Sequence, residues 1–483
     1  MIISKKNEVY IIIETEPSIG KELSDFFTFE VPGARFMPSY KKRIWDGKIR
    51  LYNQMNGEIY FGLLPYIQEF AKRNEIEIEY KDGVINESPT SYELCKSFTK
   101  KLRLKSNGRS LQLRDYQMDA FHHAIRNDRS LLLSPTASGK SVIIYLLTRW
   151  YESNRVLILV PTTSLVEQMH SDFIDYGYVG AKMQKIYQGY SKEIKHEVTI
   201  STWQSLYKMP RKFFEQFGCI LGDEVHLFKA KSLTNIMNKM HLTQYRHGFT
   251  GTLDGTQTHR LILEGLFGSV NKVTTTKELM DNKTLAKLKI KCIVLQYPQA
   301  DCKFMKDQSY QDEVDLIVRD ERRNKFILNL TKHLKGNTLL LFQFVEKHGA
   351  VLYDMIKDLD RKVFYVYGGT DTQTREEIRS ITEEETNAII VASYGTFSTG
   401  INIKNLHNVI FSSPSKSRIR VLQSIGRGLR VTNDKTGATL FDISDDFTYK
   451  SRQNYTLRHF LERINIYNEE EFDYTIKNLP IES

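Results

Sequence analysis

The stretch SLLLSPTASGKSVIIYLLTRW, residues 130–150, decides how the rest of the chain is read. Leu131 to Leu133 form a short apolar run of the kind that makes a buried strand. Ser134-Pro135-Thr136-Ala137-Ser138-Gly139-Lys140-Ser141 follows, and an apolar amphipathic segment runs on from Val142 to Trp150. Strand, tight loop and helix in that order are the context a phosphate-binding loop needs. The backbone from Pro135 through Thr136, Ala137, Ser138 and Gly139 would wrap a phosphate, and the helix N-terminus would add partial positive charge. Lys140 would set its ammonium on the β- and γ-phosphates of ATP, and Ser141 a hydroxyl on Mg²⁺. The usual glycine at the loop's opening is replaced by Ser134. A plain strand–turn–helix with a solvated lysine is the competing reading, and the rest of the chain weighs against it.

At 483 residues the chain is too long for one core and suits about three domains. A net charge of +10 favours a polyanionic partner. Cys95, Cys219, Cys292 and Cys302 form no C-x-x-C pair and no metal-like group with histidine, so they read as reduced thiols of a cytoplasmic protein. No apolar run reaches membrane-spanning length.

Residues 1–95 read as a small basic α/β domain. Within it RFMPSYKKRIWDGKIRLYN interleaves Arg35, Lys41, Lys42, Arg43, Lys48 and Arg50 with Tyr40, Trp45 and Tyr52. Such a mixture can neutralise phosphates and stack on unpaired bases, with Lys42, Arg43 and Trp45 as the expected contacts. A hairpin turning at Asp46-Gly47 over a buried Trp45 is the structural alternative. Residues 96–109, with six basic side chains and no acid, read as a linker. From about 110 to 270, and again from 290 to 443, candidate strands alternate with helices, which predicts parallel sheets. Leu457, Phe460, Leu461 and Ile464 predict a packing helix in the final segment, 450–483.

Apolar residues also lead into Asp223-Glu224-Val225-His226. Paired acids at a strand end suit a triphosphatase, with Asp223 on Mg²⁺ and Glu224 as the base that orients water. Together these segments resemble a superfamily 2 helicase with a DExH box, over roughly residues 110–445. Leu113-Arg114-Asp115-Tyr116-Gln117 resembles the family's adenine-reading segment, which implies nucleotide contacts from Arg114 and Gln117. Val160-Pro161-Thr162 and Ser201-Thr202-Trp203-Gln204 resemble its nucleic-acid backbone motifs, implying contacts from Pro161, Thr162, Ser201 and Thr202. Phe249-Thr250-Gly251-Thr252 is similar to the coupling motif. The segment from Ser393 to Asn402 resembles the motif that touches both strand and nucleotide, with Ser393 and Thr396 toward nucleic acid and Gly400 and Asn402 toward nucleotide. Gln423-Ser424-Ile425-Gly426-Arg427-Gly428-Leu429-Arg430 matches Q-x-x-G-R-x-x-R. Arg427 and Arg430, three apart on one helix face, would stabilise charge on the transferring phosphate as arginine fingers.

The resemblance implies an α/β fold of two tandem RecA-like parallel-sheet domains behind the small N-terminal domain. The expected divisions are 96–285 for the first, 286–449 for the second and 450–483 for a helical extension. At finer grain the order of parts resembles the recombination helicases of T-even phages. That implies an ATP- and Mg²⁺-dependent DNA helicase or translocase acting on forks, Holliday junctions and RNA–DNA hybrids in recombination, repair and replication. An RNA helicase, a restriction-system motor and a non-catalytic nucleic-acid binder are the rival readings.

Overall fold

The computed structural model describes the chain apart from residues 32, 86–88, 136, 228–229, 254–256, 397–402, 404, 415–436 and 482–483. It divides into two compact units, Met1–Thr274 and Thr275–Ser483.

The first unit begins with a four-stranded sheet in the order Glu58–Tyr60, Tyr10–Glu14, Ile2–Lys5, Glu79–Tyr80. Alternation in Tyr10–Glu14 sends Ile11 and Ile13 inward, where they meet Leu23 of helix Pro17–Phe26 and Ile67 and Phe70 of helix Leu64–Arg73. This layer is seated on the larger sheet of the same unit. Arg129 pairs with Glu8 at 3.0 Å and lies over the Phe61 ring at 3.9 Å. Gly62 is required there, because a Cβ would fall 2.0 Å from the Glu264 carbonyl oxygen.

The larger sheet has seven strands, all parallel, in the order Met183–Ile186, Val198–Thr202, Val156–Val160, Cys219–Gly222, Tyr245–Thr250, Arg129–Leu133, Val270–Lys272. The central VLILV strand is buried throughout, as a parallel strand covered on both faces must be. The second unit repeats the architecture in the order Val363–Val366, Ile389–Ser393, Thr338–Phe342, Asn408–Phe411, Gly437–Asp446, Lys287–Gln296, Tyr474–Pro480, again all parallel.

Three sequence expectations are corrected. The first half of the segment read as a linker lies in helix Tyr92–Leu102, capped by the Ser91 hydroxyl and burying Cys95 and Thr99, and the second half pairs Lys105–Ser106 with Arg109–Ser110. The helix's Phe98 stands edge-on to Trp150 at 4.9 Å, and Lys96, Lys100 and Lys101 are the solvent face of this packed helix. No hairpin forms at Asp46-Gly47. Lys48–Arg50 pairs with Thr28–Glu30 instead, and Trp45 is only half-buried, its indole N–H donating to the Lys48 carbonyl. The C-terminal extension is more than helical: after helix Tyr455–Glu469 the strand Tyr474–Pro480 adds an edge to the second sheet.

Candidate functional site

The loop after Arg129–Leu133 leaves from the C-terminal edge of the first parallel sheet. Ser134 continues the ladder by one bond, its N–H donating to the Thr250 carbonyl at 2.8 Å. The Ser138 hydroxyl donates to the Pro135 carbonyl at 2.7 Å, which leaves its oxygen to accept from Ser134 Oγ at 2.6 Å. Ser134 therefore latches the loop from a buried position. Ala137 and Gly139 both take positive φ, 66° and 80°. A side chain at Gly139 would be strained at that φ and would displace Gln117, whose Nε2 would lie 2.2 Å from a Cβ. Helix Lys140–Tyr151 starts immediately after it.

The acids arrive from two strands away. Asp223 is held to the sheet by its N–H on the Leu159 carbonyl, 2.8 Å, and the chain then turns sharply at Glu224, φ 48°. Lys140 Nζ lies 3.1 Å from Asp223 Oδ1 and also bonds Glu224 Oε1. Burial alone would push the Lys140 ammonium down, but Asp223 and Glu224 outweigh it and hold it above its ordinary value. Burial raises the Asp223 carboxyl, opposed by Lys140 and reinforced by Glu224. For Glu224 burial pulls upward, yet Lys140 and His226 prevail and keep it ionised below its usual range. Glu224 Oε2 is 3.4 Å from His226 Nδ1, which in turn lies 2.6 Å from Thr250 Oγ1. Thr250 spends its hydroxyl proton on the Thr252 carbonyl at 2.6 Å, so Nδ1 of His226 must be the donor. The loop, the acid pair and the Thr250–Thr252 segment thus converge on adjoining strand ends. A positive group caught between two carboxylates can trade either partner for a phosphate oxygen.

Gln117 acts as a strut under this loop. Its Nε2 donates to the Ser138 carbonyl at 2.8 Å and its Oε1 accepts from the Arg114 N–H at 3.0 Å. One N–H and one lone pair of the amide are left by these two bonds. The Tyr116 hydroxyl, which sequence reasoning passed over, joins it on the Ser138 carbonyl at 3.0 Å. Arg114 is exposed, its guanidinium on the Tyr116 hydroxyl at 2.7 Å. Thr162 caps helix Thr163–Asp175, accepting from the Leu165 N–H, while the Pro161 carbonyl accepts from Gln204. Ser201 is fully buried with its hydroxyl donating to the Ile186 carbonyl at 2.6 Å, which removes it as a phosphate contact. Thr202 is buried too, its hydroxyl 2.9 Å from Ser205 Oγ.

In the second unit Ser393 and Thr396 share a hydrogen bond of 2.8 Å at the end of strand Ile389–Ser393. Thr136, Gly400, Asn402, Arg427 and Arg430 lie outside the described residues. On the N-terminal layer Lys42 and Arg43 are exposed beside half-buried Trp45, and Phe36, Ile44 and Met55 are each more than three-quarters exposed. The one acid of that stretch, Asp46, is paired with Arg50 at 2.6 Å. Sequence reasoning also missed Tyr176, whose hydroxyl lies 2.8 Å from Ser141 Oγ. No motif flags it, because it follows a helix 35 residues further along. Among the described residues no helix is long and apolar enough to cross a membrane, and no group of three or more His, Cys, Asp or Glu side chains is placed to hold a metal ion.

Comparisons with known proteins agree with this layout. Residues 3–81 match the model for the N-terminal domain of the DNA helicase UvsW, 110–255 that for the res subunit of type III restriction enzymes, and 322–432 the conserved C-terminal helicase domain. The chain is 36% identical to the ATP-dependent DNA helicase uvsW of Enterobacteria phage T4, with 98% of each chain covered. The crystal structure of T4 UvsW superposes with a TM-score of 0.54 at 35% identity, covering 100% of this chain and 99% of that one. A fragment of a type I restriction HsdR subunit from Vibrio vulnificus superposes at 0.58 with 16% identity over 87% of this chain and 83% of that one, a likeness of fold alone.

Proposed function

The chain belongs to the family of superfamily 2 helicases that includes uvsW of phage T4, and from that premise we propose how its residues divide the work. It is an ATP-dependent DNA helicase. The observation that supports the division is the Lys140–Asp223–Glu224 triad at the mouth of the phosphate loop.

ATP enters with its β- and γ-phosphates against the loop N–H groups and Lys140, which exchanges its carboxylate partners for phosphate oxygens. The Ser141 hydroxyl and the Asp223 carboxylate are hard oxygen donors and fit Mg²⁺, which keeps several waters and needs few protein ligands. Bound there, the ion would neutralise charge on the phosphates. It would also replace the cation that buried Asp223 loses when Lys140 turns to the nucleotide. Glu224, kept ionised at pH 7, accepts a proton from the attacking water. Its neighbour His226 ties the base to Thr250 and Thr252. Arg427 and Arg430 complete the set as the arginines that stabilise the transferring phosphoryl group, and Gly400 and Asn402 contact the nucleotide.

Pro161, Thr162, Thr202, Ser393 and Thr396 are assigned to the nucleic-acid backbone, which makes binding salt-sensitive and largely blind to sequence. Ser201 supports that row from inside the sheet. Lys42, Arg43 and Trp45 are assigned to branched substrates: forks, Holliday junctions and RNA–DNA hybrids, in recombination, repair and replication. In this division residues 1–95 read the branch, 96–285 bind ATP, 286–449 supply the arginines and 450–483 complete the second sheet. The four cysteines are buried free thiols, which suits a reducing compartment such as the cytoplasm.

The test is phosphate release by the purified chain with single-stranded, duplex, forked and four-way DNA and with RNA. Strongest stimulation by forked or four-way DNA supports the reading. Equal stimulation by all forms would remove the branch assignment, and stimulation by RNA alone would remove DNA as the substrate.

A further inference from the structure

Ser141 follows Lys140 at the start of helix Lys140–Tyr151, and its hydroxyl lies 2.8 Å from that of Tyr176. Tyr176 sits at the C-terminal cap of helix Thr163–Asp175, its N–H on the Asp172 carbonyl at 2.9 Å. Its ring stands edge-on to Tyr145, centroids 5.5 Å apart, and Tyr145 is edge-on in turn to Phe173 at 5.2 Å and to Tyr178 at 6.4 Å. A buried phenol pinned at its backbone and packed on a ring that is itself held by two others has little freedom to leave its partner.

A serine hydroxyl left alone samples three staggered positions. The bond to Tyr176 selects one. Whichever oxygen donates, the pair consumes one proton and one lone pair, so Ser141 Oγ keeps a lone pair for a cation. Thr162 and Tyr176 cap the two ends of one helix, so the same element meets Ser141 at one end and carries a proposed strand contact at the other. Space-filling alone would place a ring here, but it would not call for a hydroxyl aimed at Ser141.

We infer that Tyr176 is a positioning residue that presets the Ser141 hydroxyl for the divalent cation of the bound nucleotide. This rests on the reading of Ser141 as a cation ligand. Tyr176→Phe removes the hydroxyl and keeps the ring contacts.

The experiment titrates a fluorescent ATP analogue into the full chain, Tyr176→Phe, Ser141→Ala and the double variant, each with Mg²⁺ and with EDTA. Mg²⁺ tightens binding to the parental chain. Tyr176→Phe forfeits about 3- to 10-fold of that tightening, the effect of one hydrogen bond, and binds with unchanged affinity in EDTA. In the Ser141→Ala background the same change costs nothing further, because both substitutions act through one oxygen. Equal tightening in the parental chain and Tyr176→Phe would overturn the inference, as would an undiminished loss in the Ser141→Ala background. A parental chain indifferent to Mg²⁺ would overturn the ligand role of Ser141 and this inference with it, and would be recognised as a defect of the unsubstituted protein.

Discussion

Numbering the seven strands of each parallel sheet in chain order, both sheets run 3-4-2-5-6-1-7. The backbone plan is therefore repeated, while the strand ends are not. In the first sheet, strand 1 opens into the phosphate loop and strand 5 into Asp223-Glu224, and the ion triad there is partly open, with side-chain exposures of 16%, 9% and 23% for Lys140, Asp223 and Glu224. In the second, strand 1 runs into Tyr297-Pro298, and strand 6 ends near Asp445. The Asp445 carboxylate takes Arg323 at 2.8 Å and the Tyr297 hydroxyl at 2.9 Å, with both members of the ion pair at 0% exposure. Arg323 also donates to the Ser412 carbonyl at 2.7 Å. One fold thus carries an exchangeable charge cluster in one copy and a sealed one in the other. Function follows the strand-end residues rather than the topology.

If the clusters differ in this way, lesions in them should be read by different instruments. Glu224→Gln should lower DNA-stimulated turnover by roughly 100- to 1,000-fold while ATP and DNA still bind, the scale expected for a lost general base. Phosphate release and nucleotide titration check it, and ordinary turnover would end the contrast. Arg323→Met in the second unit should instead cost about 3–5 kcal/mol of stability, because Asp445 is left buried without its partner. Denaturant unfolding measures that, and a variant of parental stability would show that the second cluster is not sealed.

A third variant sharpens the comparison by sparing both clusters. Replacing Lys42, Arg43 and Trp45 together with alanine should weaken branched-DNA binding about tenfold, lower its salt dependence and leave DNA-free ATP hydrolysis intact. Anisotropy titrations at several salt concentrations read the change.

An effect silent at neutral pH should be common to both units. Burial, then nearby cationic groups, pushes His247 in the first unit and His348 in the second down to about 3. Both are neutral when folded and take up protons near pH 6.5 when unfolded. Their contribution is present above about pH 6.5 and is lost as pH falls toward 3, at up to about 1.4 kcal/mol per pH unit for each. His348→Gln should flatten part of the acid limb of a stability–pH curve, and an unchanged limb would contradict the assignment.

Central strands were legible from sequence because burial on both faces demands runs such as Val156–Val160 and Thr338–Phe342. The edges were not. Met183–Ile186, Val270–Lys272 and Tyr474–Pro480 are short or half-exposed, so their polar residues erase the signal. Helix Tyr92–Leu102 hid behind its lysines, which face solvent while Cys95 and Thr99, four apart, face the core. Lys140, Asp223 and Glu224 could be singled out by residue type, and the structure brings the three side chains together. Ser201 was misread because a hydroxyl at a strand end serves a carbonyl as readily as a phosphate. Tyr176 was invisible because proximity across 35 residues is a property of packing. The repeated plan showed only as two alternating strand–helix series with no residue-by-residue likeness, since burial constrains only residue class.

The central claim is that the first sheet's loop and triad hydrolyse ATP for movement on DNA. Phosphate release by Lys140→Ala with saturating forked DNA tests it most directly. The expected rate is at least about 100-fold below that of the parental chain, with salt-sensitive DNA binding retained. An undiminished rate would place the hydrolytic centre elsewhere.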